Sequence, residues 1–197
     1  MGPMAGDDPT MPVSRRVKLT YDDFVQLPDD GLRHELIEGE HYVTPSPNTR
    51  HQRISIRLGL LIGGWLDAHP GGQLFHAPLD VVFSEFDIVE PDLIYLSSQR
   101  AFDLVTAQHV RGVPELVIEI VSPGTRRPDE TIKRRLYERA GVDEYWVVDP
   151  DIGAVRVYRR HGDLFGRPTE LSADAGGMLG TPLLPGLDIS VGRIFAD

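Results

Sequence analysis

A chain of 197 residues has room for one domain with a substantial core and is short for two. Its 30 acids against 20 Lys plus Arg, a formal charge of −10, argue against a protein that coats nucleic acid through a broad basic surface, because phosphate neutralisation dominates such affinity; a local basic patch beside an acidic metal site is still compatible with the balance. The absence of cysteine excludes disulfides, thiolate-bound zinc and cysteine nucleophiles, and the lack of a bilayer-length apolar run or a signal-peptide core predicts a soluble, cytoplasmic protein with no membrane partner.

In chain order, residues 1–18 are rich in Gly, Pro and Asp without periodicity and read as a loose tail ahead of a single domain, 19–197. Thr20 is a good N-cap for a short helix, 21–27, stopped by Pro28. Residues 33–44 read as a hairpin around Glu38-Gly39-Glu40, with Glu35 and Ile37 on one face. Ser46-Pro47 predicts the start of a helix running to Ala68, with Ile54, Leu58, Leu61 and Trp65 as its apolar stripe. On the same helix Arg50, Arg53 and Arg57 make the clearest basic stripe in the molecule, either a solvated face or a set of phosphate contacts.

The run 74–83 reads as one long strand with an irregularity at Pro78, because proline cannot donate to a ladder. Asp80 is either its outward member or a further acid, and residues 85–89 turn into a short apolar strand headed by Pro91-Asp92. Residues 97–113 are a polar connection with at most a short helix at 105–109. Past residue 150, strands at 154–159 and 164–171 pair across His161-Gly162-Asp163, and 183–189 reads as a turn and short edge strand.

Between them lies a β-turn-α-β unit: a buried strand over 114–121, a Ser122-Pro123-Gly124 turn, a charged amphipathic helix over 128–140 and a second buried strand over 144–149. Alternation puts Val117, Glu119 and Val121 on one face of the first strand and Leu116, Ile118 and Ile120 on the other. Glu119 is therefore either a carboxylate in an apolar setting, costly unless paired or metal-bound, or a strand end reaching water. The helix carries Asp129, Lys133 and Tyr137 as a polar stripe beside Ile132, Leu136 and Ala140. Two strand acids and a helix lysine can thus converge on one point.

Pro91-Asp92, Glu119 closing an apolar strand, Ser122-Pro123, Thr125, Asp129, Lys133, Tyr137 and the run 141–150 resemble the Uma2 family of restriction-endonuclease-like proteins, within the PD-(D/E)XK nuclease superfamily. The resemblance spans roughly residues 21–189. It implies an α/β fold with a central mixed β-sheet flanked by helices, and a metal-dependent endonuclease acting on DNA. Asp92 and Glu119, with the backbone carbonyl of Ile120, would hold Mg²⁺, or Mn²⁺ in its place, through the hard oxygen ligands magnesium prefers. Glu35 would be a third acid facing the site, and His51 matches a histidine often found there. Where the superfamily has lysine two residues after the second acid, this chain has Val121, so the resemblance implies that Lys133 supplies the ammonium group, held by Asp129 and Tyr137. Exposed edge strands and the likeness to dimeric nucleases point to a homodimer.

Two other readings compete: a noncatalytic nuclease-like scaffold in which Asp92, Glu119 and Lys133 form only an ion-pair network, and a hydrolase of another phosphate ester sharing the same site. Serine-hydrolase and nucleotide-binding readings fail, since there is no Gly-x-Ser-x-Gly elbow and no Walker-type glycine loop. The seven histidines lack the close spacing of a zinc site.

Overall fold

The computed structural model describes residues 17–44, 46–122, 126 and 128–196, so most of the expected tail lies outside the described residues. Near the start of the described residues, Leu19 donates its N–H to the Gly39 carbonyl at 2.9 Å. Helix α1 (Tyr21–Phe24) is a single turn, shorter than expected, fixed by the Thr20 N–H donating to the Asp23 carboxylate at 2.8 Å. Strands β1 (Arg33–Ile37) and β2 (Glu40–Thr44) form the expected hairpin. Its two central residues, Glu38 and Gly39, both have positive φ, the conformation that matches the twist of a two-residue hairpin.

Helix α2 (Thr49–Ala68) starts later than Ser46 predicts. Asn48 is its cap, the side-chain oxygen accepting from the His51 N–H at 2.9 Å. Its buried row is Ile54, Leu58, Ile62 and Leu66, a straight i, i+4 ridge; Leu61 and Trp65 only flank it and are half-buried. The long strand expected over 74–83 is two strands in different sheets, β3 (Gly72–His76) and β4 (Val81–Ser84). The break falls around Pro78, which has no N–H to carry a ladder through. The turn expected before Asp92 contains a strand, β5 (Asp87–Val89), followed by β6 (Leu93–Ser97).

The helix of the polar connection is α3 (Ser98–Leu104), earlier than 105–109, because the Ser97 hydroxyl caps it by accepting from the Arg100 N–H at 3.4 Å. Strand β7 (Val110–Arg111) leads to β8 (Leu116–Ile120). The helix beyond opens with a π-helical turn, Pro128–Lys133, before becoming α4 (Arg134–Ala140), and β9 (Glu144–Asp149) returns parallel to β8. Strand β10 (Ala154–His161) pairs with two short strands, β11 (Leu164–Phe165) and β12 (Thr169–Ser172), where one longer strand was expected. The chain closes with the hairpin of β13 (Met178–Thr181) and β14 (Leu184–Ser190), then α5 (Val191–Phe195).

Among the described residues the central mixed sheet runs β3-β6-β8-β9-β10, with β11 and β12 both on the far edge of β10, and a second sheet runs β2-β1-β5-β4-β7. The alternation of β8 and β9 divides the core. Leu116, Ile118, Ile120, Trp146 and Val148 pack on α2, α5 and β14, while Val117, Val121, Tyr145 and Val147 pack against α4 and the second sheet. The result is a mixed α/β fold whose sheets are flanked by helices. Glu119 lies on the α4 side of it.

Candidate functional site

Asp92 sits just before β6 and is buried. Its Oδ2 accepts from the Ile120 N–H at 2.8 Å and pairs with His51 Nε2 at 3.0 Å, while Arg33 reaches its Oδ1 at 3.2 Å. Burial pushes this carboxyl up, but His51, Arg33 and the Ile120 N–H outweigh it and leave Asp92 below the usual carboxylate range. Along β8 the Val121 N–H points to Val148 on β9, so Ile120, one residue earlier, turns its N–H and its carbonyl to the Asp92 side.

Glu119, on the neighbouring strand, is also buried. Its Oε1 accepts from Tyr137 at 2.6 Å and from Lys133 Nζ at 3.0 Å. Burial pushes Glu119 up to about 8; Lys133 opposes this, while Asp129, Asp92 and Glu35 add to it. Lys133 is itself buried, which favours loss of its proton, yet Glu119, Glu35 and Asp129 hold its ammonium well above the ordinary lysine range. Glu35 approaches Lys133 Nζ at 2.8 Å and accepts from the Glu90 N–H at 3.0 Å; Asp129 stands 3.8 Å from Nζ.

Asp129 and Lys133 both lie on the π-helical turn and are buried, and the Asp129 carbonyl accepts from the buried Tyr145 hydroxyl at 3.1 Å. Sequence reasoning had Tyr137 holding Lys133; instead Tyr137 holds Glu119, the lysine's partner.

A cavity of about 20 Å³, enough for a water or a single ion, is bordered by Asp92, Glu119, Ile120, Asp129, Lys133 and His51. Beside it a cleft of about 430 Å³ shares Arg33, His51 and Asp92 as walls and adds Gln52, Ser55 and Glu90. The structure thus gathers Glu35, His51, Asp92, Glu119, Ile120, Asp129, Lys133 and Tyr137 into one cluster. His51 Nδ1 is the one buried side-chain polar atom without a hydrogen-bond partner among the described residues. Also among the described residues, no group of three or more His, Cys, Asp or Glu side chains is disposed to hold a metal ion.

The arginine stripe does not join this cluster. Gln52 and Ser55 line the cleft from α2, and at about 100° per residue Arg50, Arg53 and Arg57 turn to the other side of the helix. Arg57 donates to the carbonyls of Arg193 and Ala196 at the end of the chain. Sequence reasoning missed Arg33 and Glu90. Arg33 Nε lies 2.6 Å from Glu90 and its guanidinium bridges to Asp92. The signal was its place two residues before Glu35, on the same face of β1.

Comparison with known proteins fits this architecture. Residues 21–192 match the Uma2 family, described as "Putative restriction endonuclease". A crystal structure described as a "putative nuclease belonging to DUF820" from Anabaena variabilis superposes with a TM-score of 0.76 at 22% identity, covering 90% of this chain and 98% of that one. The type IIG restriction endonuclease BpuSI gives a TM-score of 0.40 at 13% identity, over 77% of this chain and 17% of that one. No curated protein matches the chain. With a family match running from α1 to α5 and the same fold in a solved relative, the chain belongs to the Uma2 family of restriction-endonuclease-like proteins.

Proposed function

We propose that the protein is a metal-dependent endonuclease that hydrolyses phosphodiester bonds of DNA. One observation carries the reading: two buried carboxylates on adjacent strands, Asp92 and Glu119, meet a buried ammonium, Lys133, around an ion-sized cavity that shares walls with an open cleft.

The donor set fits a hard divalent cation. Among the described residues the acids Glu35, Glu90, Asp92 and Glu119 pair with Lys133 and Arg33, beside His51, and burial, with Asp129, Asp92 and Glu35 adding to it, pushes the Glu119 carboxyl up. Asp92, Glu119 and the Ile120 carbonyl would hold Mg²⁺ or Mn²⁺, with water making up the remaining ligands. When bound, such an ion neutralises charge on the scissile phosphate and acidifies water next to it.

The chain's own residues supply the rest. Lys133 keeps its proton against burial because three carboxylates surround it, so its role is to donate to developing negative charge or to orient a water, not to act as a base. Tyr137 fixes Glu119 by its hydroxyl, and the Ile120 N–H fixes Asp92, so neither acid depends on side-chain flexibility for its aim. His51 is anchored to Asp92 through Nε2, and its buried Nδ1, unpartnered among the described residues, is a polar atom left over for a water or substrate oxygen that enters the site.

The test is incubation of supercoiled plasmid, linear duplex and single-stranded DNA with Mg²⁺, Mn²⁺ or chelator, beside Glu119→Gln and Lys133→Met. Metal-dependent nicking should fall by about a hundredfold to a thousandfold in either variant. One observation favours the scaffold reading: Lys133 already pairs with Glu119 at 3.0 Å and Arg33 with Asp92 at 3.2 Å, so the acids are compensated without metal. Calorimetry with Mn²⁺ separates the cases. Neither heat nor cleavage leaves a scaffold, whereas heat without DNA cleavage points to another phosphate ester.

A further inference from the structure

Helix α2 turns one face to the core and the opposite face to solvent, and that outer face does not look like a solvated one. Ile56 is 58% exposed and Leu60 72% exposed, four residues apart in one row. Gly63 and Gly64 follow in the same row, in the middle of a 20-residue helix. Glycine inside a helix weakens it, and nothing in the protomer calls for glycine here: a Cβ added at either position would meet no atom within 4 Å. The row is bounded by exposed Arg53 at one end and exposed Asp67 at the other.

We infer that this row is a self-association surface, on which α2 packs antiparallel against α2 of a second copy about a two-fold axis at Leu60. An isologous contact brings the same patch to both subunits, so each residue faces the one equally far on the other side of the axis. Leu60 then meets the partner's Leu60. Ile56 falls on the partner's Gly64, a large side chain over an open backbone, and Arg53 falls on the partner's Asp67. One register thus fills the glycine gap, covers both exposed aliphatic side chains and matches opposite charges at both ends. A parallel pairing would place Arg53 on Arg53 and Asp67 on Asp67. The occupant is a second copy because the complementarity is of the row with itself.

A single pair of helices lies at the small end of specific interfaces, so the dissociation constant is expected in the micromolar range, on the order of 10 µM. The inference does not depend on the nuclease reading, and its test uses no activity. Sedimentation velocity on the full chain from about 1 to 200 µM, a range set to bracket that expectation, should show a concentration-dependent dimer. Leu60→Glu should raise the dissociation constant at least tenfold, as should Arg53→Asp, with Arg53→Asp/Asp67→Arg restoring it.

The chain has no cysteine, so a single introduced thiol reports one position. Leu60→Cys should cross-link under mild oxidation, while Phe102→Cys, 85% exposed on α3, should not. A monomer across the whole range, a dimer indifferent to Leu60→Glu, or a dimer that persists without cross-linking at Leu60→Cys would each overturn the proposal.

Discussion

Tyr137 donates its hydroxyl to Glu119 Oε1 at 2.6 Å, the same oxygen that Lys133 Nζ approaches at 3.0 Å. One buried carboxylate oxygen therefore holds together the helix and the sheet that form the site.

Tyr137→Phe removes that hydroxyl and little else, since the ring stays packed on Phe83 and Tyr145. Leaving a buried polar group without one of its hydrogen-bond partners costs about 1–3 kcal/mol. Urea unfolding should show a lower midpoint with an unchanged slope. An unchanged midpoint would mean that Glu119 recovers a donor elsewhere.

Much of this cluster was legible in the sequence because its members break local patterns. Glu119 interrupts an apolar run, Asp92 follows a proline at a strand start, and Asp129 and Lys133 are four apart on a helix. What escaped lies in relations that no local pattern carries. Arg33 reaches Asp92 across 59 positions, brought there by the hairpin and its place beside β5. The run around Pro78 keeps its strand character on both sides, so only tertiary structure reveals that the halves belong to different sheets. The arginine stripe of α2 identified a face of a helix; periodicity alone does not say what that face looks at. The π-helical turn was invisible for a similar reason, since the order Asp129, Lys133, Tyr137 reads alike in either helix.

Lys133→Met leaves Glu35, Glu119 and Asp129 without their shared cation. Removing one partner of a buried ion pair costs about 3–5 kcal/mol, so thermal unfolding should move down by many degrees. If Asp92 and Glu119 bind divalent ions, millimolar Mn²⁺ should raise the melting temperature of Lys133→Met more than that of the wild type, because the ion replaces a missing charge. Equal shifts in the two proteins would separate the lysine from the metal site.

At the end of β9, one residue beyond the Val148 that pairs with Ile120, Asp149 is held by Arg126, whose Nη2 donates to its Oδ1 at 2.8 Å. Burial raises the Asp149 carboxyl, but the Arg126 hydrogen bond and charge outweigh it and leave it below the ordinary value. Between that lowered value and the unfolded one, about 3.9, the unfolded chain binds more protons. The stabilisation is therefore present above about pH 4 and lost as pH falls through the folded value. The stability gap between wild type and Asp149→Asn, measured by urea unfolding, should be widest near neutrality and close toward pH 3. A gap that stays constant with pH would show that the pair is not linked to this proton.

Arg33 offers the sharpest test of how the acids are shared. Its guanidinium is half-buried, which works against its charge, but Asp92 and Glu90, with Glu119 and Glu35 behind them, hold it protonated. It bridges Glu90 and Asp92 from the cleft side, so it occupies Asp92 Oδ1, an oxygen a cation would use. Arg33→Gln keeps a donor at the position of Nε, which faces Glu90, and removes both the charge and the reach to Asp92. Two opposite effects follow: the fold loses a few kcal/mol because buried Asp92 and half-buried Glu90 lose their cation, and the site gains net negative charge. Calorimetric titration with Mn²⁺ should then show tighter binding than in wild type, by about tenfold, the factor that 1.4 kcal/mol of relieved competition supplies. Weaker binding would make Arg33 a support for the site instead of a competitor. Unchanged binding, with stability reduced as expected, would take Asp92 out of the metal site and return the cluster to the scaffold reading.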